Sequence, residues 1–79
     1  MRLQAVPGRN PRAVTTGRHI RQARKAKGLS QSQLARLLPD AHDSYVSRWE
    51  TGQHMPSWDH LEAVAEALDV TVAWLLSDD

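Results

Sequence analysis

The chain has 79 residues and no cysteine, which favours one domain with a modest core in an intracellular, cytoplasmic setting and excludes disulfides and thiolate metal sites. No apolar run approaches the roughly 20 residues of a membrane-spanning helix, so no membrane partner is expected. The net charge of +1 conceals a segregation, because nine of the ten Lys and Arg residues precede residue 39 and all nine Asp and Glu residues follow residue 38.

Residues 1–15 are predicted to form a flexible basic arm, because they combine proline and glycine with arginine and show little hydrophobic periodicity. On such an arm, Arg2, Arg9 and Arg12 suit contact with the backbone or the minor groove of a nucleic acid. A tail that only improves solubility is an equal alternative. The sequence therefore leaves the role of the arm open.

Apolar residues that recur three and four positions apart predict one all-α domain over residues 16–77, with five short helices and no strand. Gly28 suits a left-handed end for the first helix, after Lys27, and Pro39 ends the second after Leu38. Gly52 follows the third helix, which is expected to end at Thr51. The predicted helix starts lie, in chain order, at Thr15 or Thr16, Ser30, Asp43, Ser57 and Thr71.

The first and third helices each place a charge in the last position of an apolar stripe. Arg24 follows Ile20 at the same spacing that separates Glu50 from Val46. A lone buried charge is costly, and a bidentate bond between arginine and a carboxylate offsets that cost and fixes direction. The pattern therefore predicts an ion pair between Arg24 and Glu50 that locks the two helices together. Two charges that both face water are the alternative.

These elements carry a resemblance. From "IRQARKAKGLSQSQLARLL" through "SYVSRWETGQHMPS" to "LEAVAEALDVTVAWLL", about residues 18–76, the chain resembles the phage-repressor, or XRE-type, helix-turn-helix family. The resemblance implies a five-helix, lambda-repressor-like domain whose second and third helices form the helix-turn-helix. It also implies the same pairing of Arg24 with Glu50. The implied function is a transcriptional regulator, generally a repressor that binds a near-palindromic operator in double-stranded DNA as a homodimer, without a cofactor.

The resemblance also implies site residues, carried over position by position. The third helix is expected to lie in the major groove and to read bases through Asp43, Ser44, Ser47 and Arg48. Phosphate contacts are expected from Gln31, Tyr45, Gln53 and His54. Each serine could instead be an ordinary surface residue, and the ring of Tyr45 could simply cover the core edge. Trp49 is expected in the core.

Two features depart from the family pattern. The connection "PDAHD" between Leu38 and Ser44 is one residue longer than usual and lacks the usual glycine. Asp43 stands where glutamine is frequent, and phosphates repel a carboxylate that makes no specific contact. The favoured interpretation is that Asp43 caps the third helix. The alternative is that it accepts a hydrogen bond from the amino group of cytosine.

The same residues bear on other classes of function. The basic first half favours a nucleic-acid partner, although attraction between the two halves of the chain explains the segregation equally well. A protein-interaction module, or an antitoxin-like accessory regulator with a protein partner, is the alternative function. Catalysis and metal binding are not expected. The four histidines, His19, His42, His54 and His60, fall on different elements and lack a metal-binding spacing.

Overall fold

The computed structural model describes residues 10–78, and this part of the chain forms five α-helices. No strand occurs among these residues, so the predicted all-α architecture is confirmed. No helix in the described range has the length and apolar character needed to cross a bilayer. In chain order, the helices are α1 (Pro11–Ala26), α2 (Gln31–Arg36), α3 (Asp43–Glu50), α4 (Trp58–Leu68) and α5 (Val72–Leu75).

Three of the predicted capping residues begin their helices as expected. The side-chain oxygens of Ser30, Ser57 and Thr71 accept hydrogen bonds from backbone N–H groups in the first turns of α2, α4 and α5. In α2 the backbone N–H of Ser30 donates to Gln33 Oε1 at 2.7 Å, which completes a capping box. Local sequence therefore defines these helix starts.

Helix α1 begins at Pro11, not at Thr15 or Thr16 as the sequence predicts. The side chain of Asn10 caps it by accepting a hydrogen bond from the backbone N–H of Arg12 at 2.8 Å. Proline is favoured at the first position of a helix, since its missing N–H would have no partner there. Residues 10–15 thus belong to the folded domain and Arg12 lies in α1. The rest of the predicted arm, with Arg2 and Arg9, lies outside the described residues.

The two glycines that were expected to stop helices do so. Gly28 and Gly52 have φ values of +73° and +80°, which place both in the left-handed region. After α1, the backbone N–H of Leu29 donates to the carbonyl oxygen of Arg24 at 3.1 Å. After α3, the N–H of Gln53 donates to the carbonyl of Arg48 at 2.9 Å. Both helices therefore end in a Schellman-type arrangement.

The core lies where the inner faces of all five helices meet. Trp49 is only 4% exposed within it, so its expected core position is confirmed. Helices α1 and α3 approach closely at Gly17, where a Cβ atom would overlap the carbonyl oxygen of Trp49. Close packing thus fixes α3 against α1. The buried apolar cluster contains Ile20, Ala23, Leu34, Ala35, Leu38, Val46, Trp49, Leu61, Val64, Ala65, Leu68 and Leu75.

A candidate nucleic-acid interface on α3

The turn between α2 and α3 closes without glycine. Helix α2 ends at Arg36, two residues before the predicted end, because the N–H of Leu38 bonds to the carbonyl three residues back, on Ala35. Asp40 then takes the left-handed conformation, with φ +53°, which aspartate tolerates better than most residues. The carbonyl oxygen of Pro39 accepts a hydrogen bond from His60 Nε2 at 3.1 Å. The longer turn is therefore tied to α4.

The ion pair that the spacing of charges predicts is present between α1 and α3. Arg24 Nε donates to Glu50 Oε2 at 2.6 Å, and Arg24 Nη2 donates to Glu50 Oε1 at 2.9 Å. The two side chains are 10% and 4% exposed, so the alternative in which both face water is wrong. The bidentate geometry fixes the direction of both side chains as well as their distance.

Two further hydrogen bonds extend this pair to α2. Gln31 Nε2 donates to Glu50 Oε1 at 3.0 Å, and Arg24 Nη1 donates to the carbonyl oxygen of Leu29 at 2.8 Å. The hydrogen bonds to Glu50 and its charge raise the pKa of Arg24 and outweigh the opposite effect of burial. One charged network therefore holds α1, α2 and α3 together. It includes Gln31, whose phosphate contact remains a proposal.

The four residues expected to read bases lie on the outer side of α3, in the order Asp43, Ser47, Ser44 and Arg48 around the helix axis. At 100° per residue they cover an arc of about 140°. Ser47 is half-buried and the other three are exposed. The buried residues of this helix, Val46 and Trp49, lie on the other side. The fold thus presents a continuous polar surface on α3.

Asp43 does not cap α3, and that prediction is wrong. The N-cap position belongs to His42, whose side chain makes no capping bond, and Asp43 is the first residue of the helix. The Asp43 carboxylate instead accepts a hydrogen bond from Ser32 Oγ at 2.6 Å. Sequence reasoning missed Ser32, because this contact depends on how the turn sets α2 against α3.

Of the remaining residues expected to contact phosphate, Tyr45 lies within α3 and the other two follow it. Gln53 and His54 are exposed in the loop after the helix, and Gln53 Nε2 donates to Thr51 Oγ1 at 3.0 Å. A groove of about 270 Å³ brings together Tyr45, Arg48 and His54, with Trp49, Met55, Ser57 and His60 completing its lining. A cation, a phenol and an imidazole therefore converge beside the outer surface of α3.

Direct ion pairs between the two halves involve few of the segregated charges among residues 10–78. Across residues 10–78, the only ion pair within 4.0 Å is that between Arg24 and Glu50. The other cations of this range lie without a carboxylate partner at that distance and remain available to an external polyanion. They are Arg12, Arg18, Arg21, Lys25, Lys27, Arg36 and Arg48.

His19 and His60 take structural positions. His19 is buried, stacks on Trp74 with ring centroids 4.6 Å apart, and its Nδ1 lies 3.2 Å from the carbonyl oxygen of Leu75. His60 connects the turn to the start of α4, with Nδ1 3.3 Å from Ser57 Oγ. In the range that the structure describes, no three His, Cys, Asp or Glu side chains are grouped as metal ligands would be.

Known proteins share this arrangement of helices. A family model described as helix-turn-helix matches residues 20–75. The chain belongs to the helix-turn-helix family. As a member of this family it has a DNA-binding fold of transcriptional regulators rather than an enzyme fold, and the lambda-repressor-like class is confirmed.

Three relatives illustrate the similarity of this helix-turn-helix chain. The HTH-type transcriptional activator BcrR of Enterococcus faecalis is 33% identical over 60 residues, which are 76% of this chain but only 29% of the activator. The P22 c2 repressor bound to a synthetic operator has a TM-score of 0.76 at 28% identity, covering 81% of this chain and 96% of that one. The N-terminal DNA-binding domain of SinR from Bacillus subtilis has a TM-score of 0.76 at 39% identity, covering 82% and 94%.

Proposed function

We propose that this helix-turn-helix protein binds a specific sequence of double-stranded DNA as a homodimer and represses transcription. The observation that carries this proposal is the contrast across α3. Its outer side is polar and exposed, while the Arg24–Glu50 pair and the buried Trp49 hold its inner side. A short helix held in this way suits insertion into the major groove.

Bases are read from the outer surface of α3 in this proposal. Arg48 is exposed and has no carboxylate partner among residues 10–78, so its guanidinium can bond bidentately to guanine. Ser44 and Ser47 have hydroxyl groups that can donate to or accept from several bases. Asp43, at the start of the helix, supplies only acceptors.

Phosphates are contacted around the same helix. Gln31 opens α2, and Gln53 and His54 follow α3 in an exposed loop. Tyr45 and His54 line a groove with Arg48, which leaves this groove suited to an anion. Such contacts would fix the orientation of the domain, and base contacts would supply the specificity.

The dimer and the direction of regulation complete the proposal. Two copies would bind half-sites about 34 Å apart, one turn of the DNA helix. Repression is supported by the P22 c2 repressor, of which this fold covers 96%, whereas the similar activator is matched over only 29% of its length. A chromosomal target would place the protein in the cytoplasm.

Selection of bound sequences from random duplex DNA tests this function. We expect one near-palindromic sequence to be enriched, and its affinity should fall steeply with salt as phosphates release counterions. Sedimentation should show two chains per selected duplex, and a reporter gene placed behind that sequence should be silenced. Enrichment of no sequence, together with capture of a protein partner, would favour the alternative of an interaction module.

A further inference from the structure

The carboxylate of Asp43 lies on the side of α3 that faces DNA in the proposed function. Asp43 is exposed at the first position of α3, and no cation lies within 4.0 Å of it among the described residues. It does not cap the helix. Phosphate groups repel such a charge. Asp43 would therefore weaken binding to every DNA sequence unless one particular base donates a hydrogen bond to it.

The carboxylate is held in one orientation by a neighbour on α2. Ser32 Oγ donates to Asp43 Oδ2 at 2.6 Å, a distance typical of a charge-assisted hydrogen bond. Among residues 10–78, the Asp43 side chain accepts no other hydrogen bond. Its Oδ1 atom is therefore available to a donor outside the protein. Ser32 thus fixes one oxygen and leaves the other available.

The chemistry of the major groove decides which base suits such an oxygen. Guanine presents the acceptors N7 and O6, and thymine presents O4 and a methyl group. Neither base offers a hydrogen-bond donor to a carboxylate. Adenine offers an amino group, but its acceptor N7 lies beside that group. Cytosine offers its N4 amino group without an adjacent acceptor on the same base. A carboxylate that cannot donate therefore prefers cytosine.

We infer that Ser32 and Asp43 act together to select cytosine at one position of each half-site. Asp43 is the residue that contacts the base, and Ser32 is a positioning residue. This inference rests on the proposed function and adds to it a specific base and a residue on α2. Without Ser32, the Asp43 side chain regains other rotamers, so the preference for cytosine weakens but does not change to another base.

The test repeats the selection from random duplex DNA with the full chain and three variants. Asp43→Asn removes the acceptor-only character but keeps an amide oxygen that can accept from Ser32. Ser32→Ala removes the hydrogen bond alone. Asp40→Asn is the matched control, because it makes the same charge change in the turn, where asparagine also tolerates φ +53°. Circular dichroism should show that all variants are folded.

We expect the unmodified chain and Asp40→Asn to select cytosine at the same position of each half-site. Asp43→Asn should change that position alone to adenine, since an amide can bond bidentately to N6 and N7. Ser32→Ala should retain cytosine but lower its enrichment over the other bases by roughly fivefold or more. These three outcomes together would establish the pair as a determinant of specificity.

Two other outcomes overturn the inference, and they differ. If Asp43→Asn selects the same base as the unmodified chain at every position, the carboxylate only ties α2 to α3 and the inference fails while the proposed function stands. If the unmodified chain enriches no sequence at all, the proposed function fails and the inference falls with it.

Discussion

The inner and outer sides of α3 differ in the contacts that their side chains make. On the inner side, Val46 and Trp49 are buried in the core and Glu50 bonds to Arg24 and Gln31. On the outer side, Arg48 has no carboxylate partner within the described range and Ser44 is exposed. The inner side therefore determines where the helix lies, and the outer side determines what it can bind.

The difference between the two sides explains why so short a helix can contain residues that do not favour helix formation. An isolated helix of eight residues is unstable in water, and serine and aspartate are weak helix formers. The packing of the inner side stabilises α3, so the outer residues need not favour the helix. Substitutions on the inner side should accordingly change the free energy of unfolding, and substitutions on the outer side should change DNA binding.

The largest effect is expected at the charged contact on the inner side. Glu50→Ala would leave the buried guanidinium of Arg24 without its carboxylate, and loss of one partner of a buried pair costs about 3–5 kcal/mol. Urea unfolding should show this loss of stability. Glu62→Ala, at an exposed position of α4, is the control and should change the free energy of unfolding by less than about 0.5 kcal/mol. Equal values for the two variants would show that the pair contributes little.

The pH dependence of this pair follows from the direction of the Arg24 shift. Its pKa is raised in the fold, so the folded state binds this proton more tightly than the unfolded chain. Between pH 7 and pH 9, below its unfolded pKa, the arginine therefore contributes its full stabilisation, which would be lost as pH rises through the folded value. Unfolding between pH 7 and pH 9, compared with Arg24→Ala, should show a constant difference.

A smaller loss is expected where α1 approaches α3. Gly17→Ala would place a methyl group on the carbonyl oxygen of Trp49, and overpacking of this kind costs about 1–3 kcal/mol. Thermal unfolding measures the change. Gln22→Ala, at an exposed position of the same helix, is the control because it adds no such contact. An unchanged melting temperature for Gly17→Ala would contradict the close approach of the two helices.

On the outer side, Arg48→Ala should weaken DNA binding with little effect on folding. Loss of a bidentate contact to guanine lowers affinity for the selected duplex by about tenfold and relaxes the base preference at one position. Fluorescence anisotropy measures the affinity. Arg21→Ala, exposed on α1, serves as the control for the loss of one charge. If both variants lose affinity equally and for every sequence, Arg48 contacts phosphate rather than a base.

The smallest effect is expected for Ser47→Ala. Ser47 is half-buried on the outer side of α3, and a single neutral hydrogen bond contributes about 1 kcal/mol. Competition between the selected duplex and single-base variants should show a modest loss of discrimination, with unfolding unchanged. A loss of stability without any change in discrimination would show that Ser47 contributes to packing rather than to DNA recognition.

Much of this architecture could be predicted from local sequence. The caps at Ser30, Ser57 and Thr71 and the stops at Gly28 and Gly52 depend on neighbours in the chain, and all were found where expected. The contact between Arg24 and Glu50 is long-range, but two equivalent apolar stripes ending in opposite charges indicated it. Features that leave a pattern in the sequence could therefore be predicted.

Three features were not predicted in this way. The start of α1 was missed although its signal is local, because Asn10 caps the helix and Pro11 takes its first position, a pair that also suits a loop. The bond between Ser32 and Asp43 depends on the angle of the turn. Asp40 takes a left-handed conformation that the sequence does not require. For the bond between Ser32 and Asp43 and for Asp40, tertiary geometry rather than local preference sets the outcome.

Chemical-shift mapping of backbone amides during titration with the selected duplex would show directly which side of α3 faces DNA. We expect the largest changes at Ser44, Ser47 and Arg48 and in the loop at Gln53 and His54, while the exposed side of α4 stays unchanged. Largest changes on α4 or α5, with the outer side of α3 unaffected, would show that this helix does not enter the groove.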